Sequence, residues 1–156
     1  MPDHPFCMSL QIQRKFFNTA TACFRPQDAG FAPQPEMFTV AAQIAHTAGT
    51  VDWFIAGAFS ITGFDMDFPT HSAAARAVTT LAEARLLLDA SYDAAIARIE
   101  RTPLVELHVP IVAGPIMGGV PRIAIFEAMA DHTAHHRGAL GVYARLLGLI
   151  PSMPYA

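Results

Sequence analysis

The chain has 156 residues, 53% of them hydrophobic and 15% charged, and a formal net charge of −3 from 10 basic and 13 acidic residues. That length fits one domain, residues 1–156, able to bury a core without disulfides or metal staples. A balance this mildly acidic, with no basic patch, excludes a nucleic-acid surface, and no run of 18 or more uncharged apolar residues offers a membrane span.

The N-terminus, MPDHPFCMSL, has no basic region followed by an apolar run, so no secretion signal is expected. Cys7 and Cys23 stand outside any C-x-x-C motif and read as reduced thiols of a cytoplasmic protein. Apolar content above that of an ordinary soluble domain suggests a subunit interface, and an oligomer is the expected assembly.

Alanine-rich segments separated by proline and glycine clusters predict a mostly helical chain with four long helices. The first covers about residues 9–24, where Leu10, Phe16, Phe17, Ala20 and Phe24 recur at helical spacing. Pro26, Gly30, Pro33 and Pro35 forbid its continuation. The second begins after Thr39, a suitable N-cap, and runs to Phe59 with Val40, Ile44, Val51, Phe54 and Ile55 as its apolar stripe. Thr62 and Gly63 break it, and residues 65–77 read as a loop with one short helical turn.

The third helix opens on the capping box TLAE at residues 80–83 and ends near Arg101, before Pro103. Leu81, Leu88, Tyr92, Ile96 and Ile99 mark its buried face. A stretch follows in which the alternation of Val105, Leu107 and Val109 with Glu106 and His108 allows a short extended segment, and it is read as a long connection rather than as part of a sheet. The fourth helix is expected to start at Pro121 and to end at Leu147, with Gly148 as its C′ residue. Four helices with a long crossover make a helical bundle.

Three of the seven histidines fall within DHTAHHRGAL, residues 131–140. His132 and His136 are four apart, hence on one helix face one turn apart, the spacing at which two imidazoles can share a metal ion. His135 is turned by about 100° from His136, and its natural partner is Asp131, four residues earlier. Two ligands bind a metal weakly, and a catalytic site has three protein ligands and an open position. His46, mid-helix in QIAHTAGTVDWF, is the best third: a buried imidazole needs a polar partner, and the small Gly49 and Thr50 one turn on leave room beside it. The plainer alternatives are a hydrogen-bonded core histidine at position 46 and a solvent-exposed H-x-x-x-H on the last helix. Thr50, Trp53 and Tyr143 are pocket candidates, Tyr143 lying two turns after His136. No G-x-S-x-G, P-loop, dinucleotide fingerprint or Glu-x-x-His pair points to another chemistry.

Three stretches, PQPEMFTVAAQIAHTAGTVDWFIAG, TLAEARLLLDASYDAAI and DHTAHHRGALGVYARLLGLIPSMPY, make the chain resemble the DinB/YfiT-like family of helical metal-binding proteins. The resemblance implies an all-α, up-down-down-up four-helix bundle with a long connection between helices three and four, and a homodimer. It also implies a divalent metal ion, nickel or zinc, with His46, His132 and His136 as ligands. Ala139 departs from the pattern, since many relatives carry Gln after the R-G. The activity implied is a metal- and thiol-dependent S-transfer with a low-molecular-weight thiol as cosubstrate. Metal-dependent hydrolysis and a non-catalytic metal-binding stress-response role are the alternatives, and no glutamate within the H-x-x-x-H supplies a general base.

Overall fold

The computed structural model describes residues 4–156; residues 1–3, part of the stretch read for a secretion signal, lie outside the described residues. The architecture is all-helical: α1 (Pro5–Thr21), α2 (Val40–Phe59), α3 (Phe68–Ala77), α4 (Leu81–Glu100), α5 (Leu104–Leu107) and α6 (Ile125–Leu146). Short 3₁₀ turns at Pro26–Asp28 and Arg122–Ala124 punctuate the connections. No helix among the described residues is long and apolar enough to cross a membrane.

The four long helices form a ring in which α1 packs on α4 and α6, and α2 packs on the same two. Helices α1 and α2 therefore sit on a diagonal, as do α4 and α6. A helix cannot reach the diagonal position through a tight turn, so the links after α1 and α4 must be long, whereas the link after α2 joins neighbours and is long because it carries α3. Leu10, Phe17, Val40, Ile44, Leu88, Ile99, Met129 and Leu140 fill the centre, each about 1% exposed or less. Tyr92 is fully buried among them, and its hydroxyl bonds across the diagonal to Thr133 Oγ1 at 3.2 Å. A phenol in a core needs such a partner, since an unpaired polar group there is costly.

The helix ends follow local chemistry. Thr39 Oγ1 accepts the Ala42 amide at 3.1 Å, and Thr80 Oγ1 accepts the Glu83 amide at 3.2 Å, so both predicted N-caps are made. After α6, Gly148 has φ +75°; its amide bonds to the Arg145 carbonyl at 3.0 Å and that of Leu149 to the Ala144 carbonyl at 2.8 Å. This is a Schellman cap, and its positive φ is the reason glycine stands there. Arg85 donates to the Thr21 carbonyl at the end of α1 (2.8 Å), and Arg122 to the Ala58 carbonyl near the end of α2 (2.9 Å). Both cations lie at the negative ends of helices.

Several sequence expectations need correction. The first helix runs from Pro5 to Thr21 rather than over residues 9–24, with Pro5 in its first turn. Residues 65–77 hold a ten-residue helix, α3, where a loop with one turn was expected. Asp67 caps it, accepting from the Thr70 amide at 3.2 Å. Only Ala75 of α3 is buried, so the segment carries no apolar stripe from which a period could be read. The connection after α4, read as irregular, contains one helical turn at Leu104–Leu107, which buries Leu107 and leaves Val105 exposed. Extended pairing occurs just beyond, in one antiparallel bridge between Pro110 and Pro121. Pro121 therefore precedes a 3₁₀ turn, and α6 proper begins at Ile125.

Candidate metal centre

His46 comes from the middle of α2, and His132 and His136 from α6, the neighbour on which α2 packs. One ligand-capable atom from each of the three imidazoles falls within 4.8 Å of the others. His132 Nε2 and His136 Nε2 are 3.1 Å apart. Ring centroids are separated by 4.5 Å for His132–His136, 4.7 Å for His46–His136 and 5.2 Å for His46–His132. His136 is buried at 9% exposure, and the other two are half-buried.

These imidazoles are neutral at physiological pH. Burial is the main cause for each, lowering the pKa of His132 to about 4 and that of His136 to about 3, with the neighbouring imidazoles adding to the effect. The His46 pKa is lowered as well, by burial first and then by His135. Neutral imidazoles present lone pairs, which is the protonation state a metal requires. Two nitrogens each about 2.1 Å from one ion stand roughly 3.0–3.4 Å apart for bond angles of 90–109°, and the His132–His136 separation of 3.1 Å falls in that interval. The His132–His136 pair is thus spaced for one divalent ion, and a His46 nitrogen lies within 4.8 Å of both, near enough to complete a three-imidazole set with a small side-chain adjustment.

The same shifts set an acid sensitivity in the metal-free protein. Both folded-state values lie below the ordinary 6.5. Between about pH 6.5 and pH 3 the unfolded chain therefore binds more protons than the folded one, and stability rises with pH across that window. We expect the Tm of metal-free protein to drop as pH falls from 7 to 4, each kcal/mol lost moving it by about 2–4 °C at this chain size. The drop should be shallower in His136→Phe; equal slopes in the two proteins would show that the buried imidazoles are not its source.

Gln43, one turn before His46 on α2, supports the cluster. Its side chain is 5% exposed, and its Nε2 lies 3.0 Å from His136 Nδ1, while Oε1 is buried without a partner. A primary amide offers a donor and an acceptor within one half-rotation, so Gln43 can meet either tautomer of His136. With Oε1 turned to Nδ1–H, the amide oxygen gains its partner and the His136 Nε2 lone pair points into the cluster. Phe38 stacks on the His46 ring at 5.1 Å and 30°. The Arg76 guanidinium lies over the Phe38 ring at 4.6 Å while donating to the Glu36 carbonyl at 2.8 Å. Helix α3 thus helps to fix His46 through Arg76 and Phe38.

A cavity of about 450 Å³ opens beside the cluster between α2, α3, α4 and α6, with His46 and His132 in its wall. Thr50 and Trp53 line it too. The Thr50 hydroxyl is engaged with the His46 carbonyl at 2.9 Å, and the Trp53 indole N–H with the Asp65 carbonyl at 2.7 Å. Tyr143 does not line the cavity. It is buried at 3% exposure, its hydroxyl donating to the Phe38 carbonyl at 3.1 Å, and so it braces the segment that stacks on His46. His135 is exposed, as spacing required, but Asp131 and His135 form no ion pair among the described residues. Asp131 acts instead on His132, opposing the fall in its pKa. The spacing argument did not reach Gln43, Phe38, Arg76 or the cavity residues Asp52 and Ser91. A glutamine inside the apolar run VAAQIAH, three residues before His46, was the available signal for the first.

No curated protein matches the chain. The family model of the DinB superfamily matches residues 9–140, a span that contains His46, His132 and His136 together with the helices that carry them. The chain belongs to the DinB superfamily.

Proposed function

We propose that His46, His132 and His136 hold one divalent metal ion, nickel or zinc, and that the protein uses it for thiol-dependent S-transfer to a small electrophile. One observation carries this reading: the imidazoles number three, and two of them stand in the wall of an open cavity large enough for a small molecule. A structural site is closed by four protein ligands, whereas three with an adjacent cavity is the catalytic pattern. When bound, the ion supplies Lewis acidity that lowers the pKa of a thiol or water near neutral pH.

The chain's own groups do the rest. Gln43 orients His136, and the Phe38–Arg76 stack holds the His46 ring. Trp53, Phe54 and Phe68 give the cavity an aromatic wall that shields a reacting thiolate from bulk water. In the overall transfer the thiol loses its proton to solvent, its sulfur forms a bond to an electrophilic carbon, and the leaving group departs from that carbon with the bonding electron pair, as chloride from an aryl chloride.

The test compares metal-stripped protein with protein reloaded with nickel or zinc, each given cysteine, glutathione or coenzyme A and an activated aryl chloride. Thioether formation with at least one thiol should exceed that of stripped protein by about tenfold or more. Equal rates for loaded and stripped protein with every thiol would overturn the S-transferase reading.

A further inference from the structure

The cavity holds a second polar point, which the histidine cluster does not use. Asp52 lines it together with Ser91, whose hydroxyl donates to Asp52 Oδ2 at 2.8 Å. Ser91 is 6% exposed and fixed on α4, whereas Asp52 is exposed. Asp52 is the one carboxylate among the lining residues. Among the described residues it forms no ion pair, and its Oδ1 accepts no hydrogen bond. The other ionisable groups in the wall are imidazoles: His46 and His132 of the cluster, and His71, whose Nε2 lies 3.1 Å from Asp65.

Much of the rest of the wall is apolar, with Ala45, Ala48, Ala75, Val78 and Leu87. A carboxylate that is exposed on one side and faces such a wall on the other gives up part of its hydration without gaining a counter-ion, which raises the Asp52 pKa against the lowering effect of the Ser91 hydroxyl. A cation entering the cavity would restore the lost stabilisation through a charge-assisted hydrogen bond.

The spacing along α2 sets the size of that cation's carrier. Asp52 follows His46 by six residues, roughly 9 Å of helix rise. Gly49 lies midway, and a Cβ built there would meet no heavy atom within 4 Å, so the path between the two points is open.

We infer that Asp52 and Ser91 form a recognition subsite for a protonated amine. The cavity then takes a small molecule with an ammonium group at Asp52, an apolar body over Gly49, and a second end at the histidines. The inference rests on reading the cavity as the substrate site, but it needs no metal to be bound.

Trp53 is the single tryptophan of the chain and lines this cavity, so its emission reports binding directly. Metal-stripped protein would be titrated with 2-phenylethylamine, with the neutral isostere 2-phenylethanol and with the anion 3-phenylpropanoate. The amine should bind about tenfold more tightly than the alcohol, and the anion more weakly than either. Asp52→Asn should reduce the amine's affinity to that of the alcohol while leaving alcohol binding unchanged, which also shows that the variant folds. Equal affinities for amine and alcohol in the wild type, no emission change with the amine, or an equal loss for both in Asp52→Asn would each overturn the subsite. Amine selectivity in a protein that takes up no metal would remove the metal reading and leave this one standing.

Discussion

His132→Ala is expected to empty the metal centre. Wild-type protein incubated with nickel or zinc and then desalted should retain about one ion per chain by elemental analysis, since three imidazoles form one mononuclear set. The variant should retain none above background, because His46 and His136 alone leave a two-ligand site. His132 is half-buried and outside the fully buried centre, so its truncation opens no large core cavity and the variant should fold. A thermal readout separates metal loss from unfolding. Metal at about 100 times its dissociation constant stabilises the wild type by roughly 2.7 kcal/mol, and the same addition should leave the variant's Tm unchanged. Equal metal content in both proteins, or none in the wild type, would remove the proposed centre.

The second large effect falls on a residue that touches no metal in this reading. Gln43→Leu keeps the side-chain volume near His136 but removes the group facing Nδ1. Outer-shell partners of ligating histidines are typically worth 10–100-fold in metal affinity, so a chelator competition should show a loss of about that size. Gln43→Glu restores an acceptor for Nδ1–H and should recover most of the affinity. Metal-free Gln43→Leu should lose about 1–3 kcal/mol of stability, because the buried His136 Nδ1 is left without a partner, with part of that offset by removal of the unpaired amide Oε1. An affinity unchanged in Gln43→Leu, or no recovery in Gln43→Glu, would show that the contact at 3.0 Å does not position the ligand.

Much of the architecture is legible because each helix advertises itself locally. Thr39 and Thr80 announce α2 and α4 through side-chain caps, and Gly148 ends α6 through a backbone conformation that other residues resist. The chain slipped past local reading at α3. Its start signals, Asp67 followed by Phe68 and Pro69, were present, but a helix that buries only one alanine shows no hydrophobic period. The segment from Val105 to Val109 was ambiguous for a different reason, since alternating residue types over five positions fit one helical turn as readily as a strand.

The same division runs through the candidate site. Within one helix, 3.6 residues per turn fix relative direction, so the sequence by itself determined that His132 and His136 share a face and that His135 does not. It also placed His46 among apolar neighbours on another helix. Only the tertiary structure decided that α2 and α6 pack together in the register that brings all three imidazoles within 4.8 Å. Only packing set Gln43 against His136, laid Phe38 over His46 and Arg76 over Phe38, and opened a cavity that Asp52 and Ser91 also line. The physical reason is that periodicity constrains angles within a helix, whereas distances between helices depend on how many side chains fill the core at once.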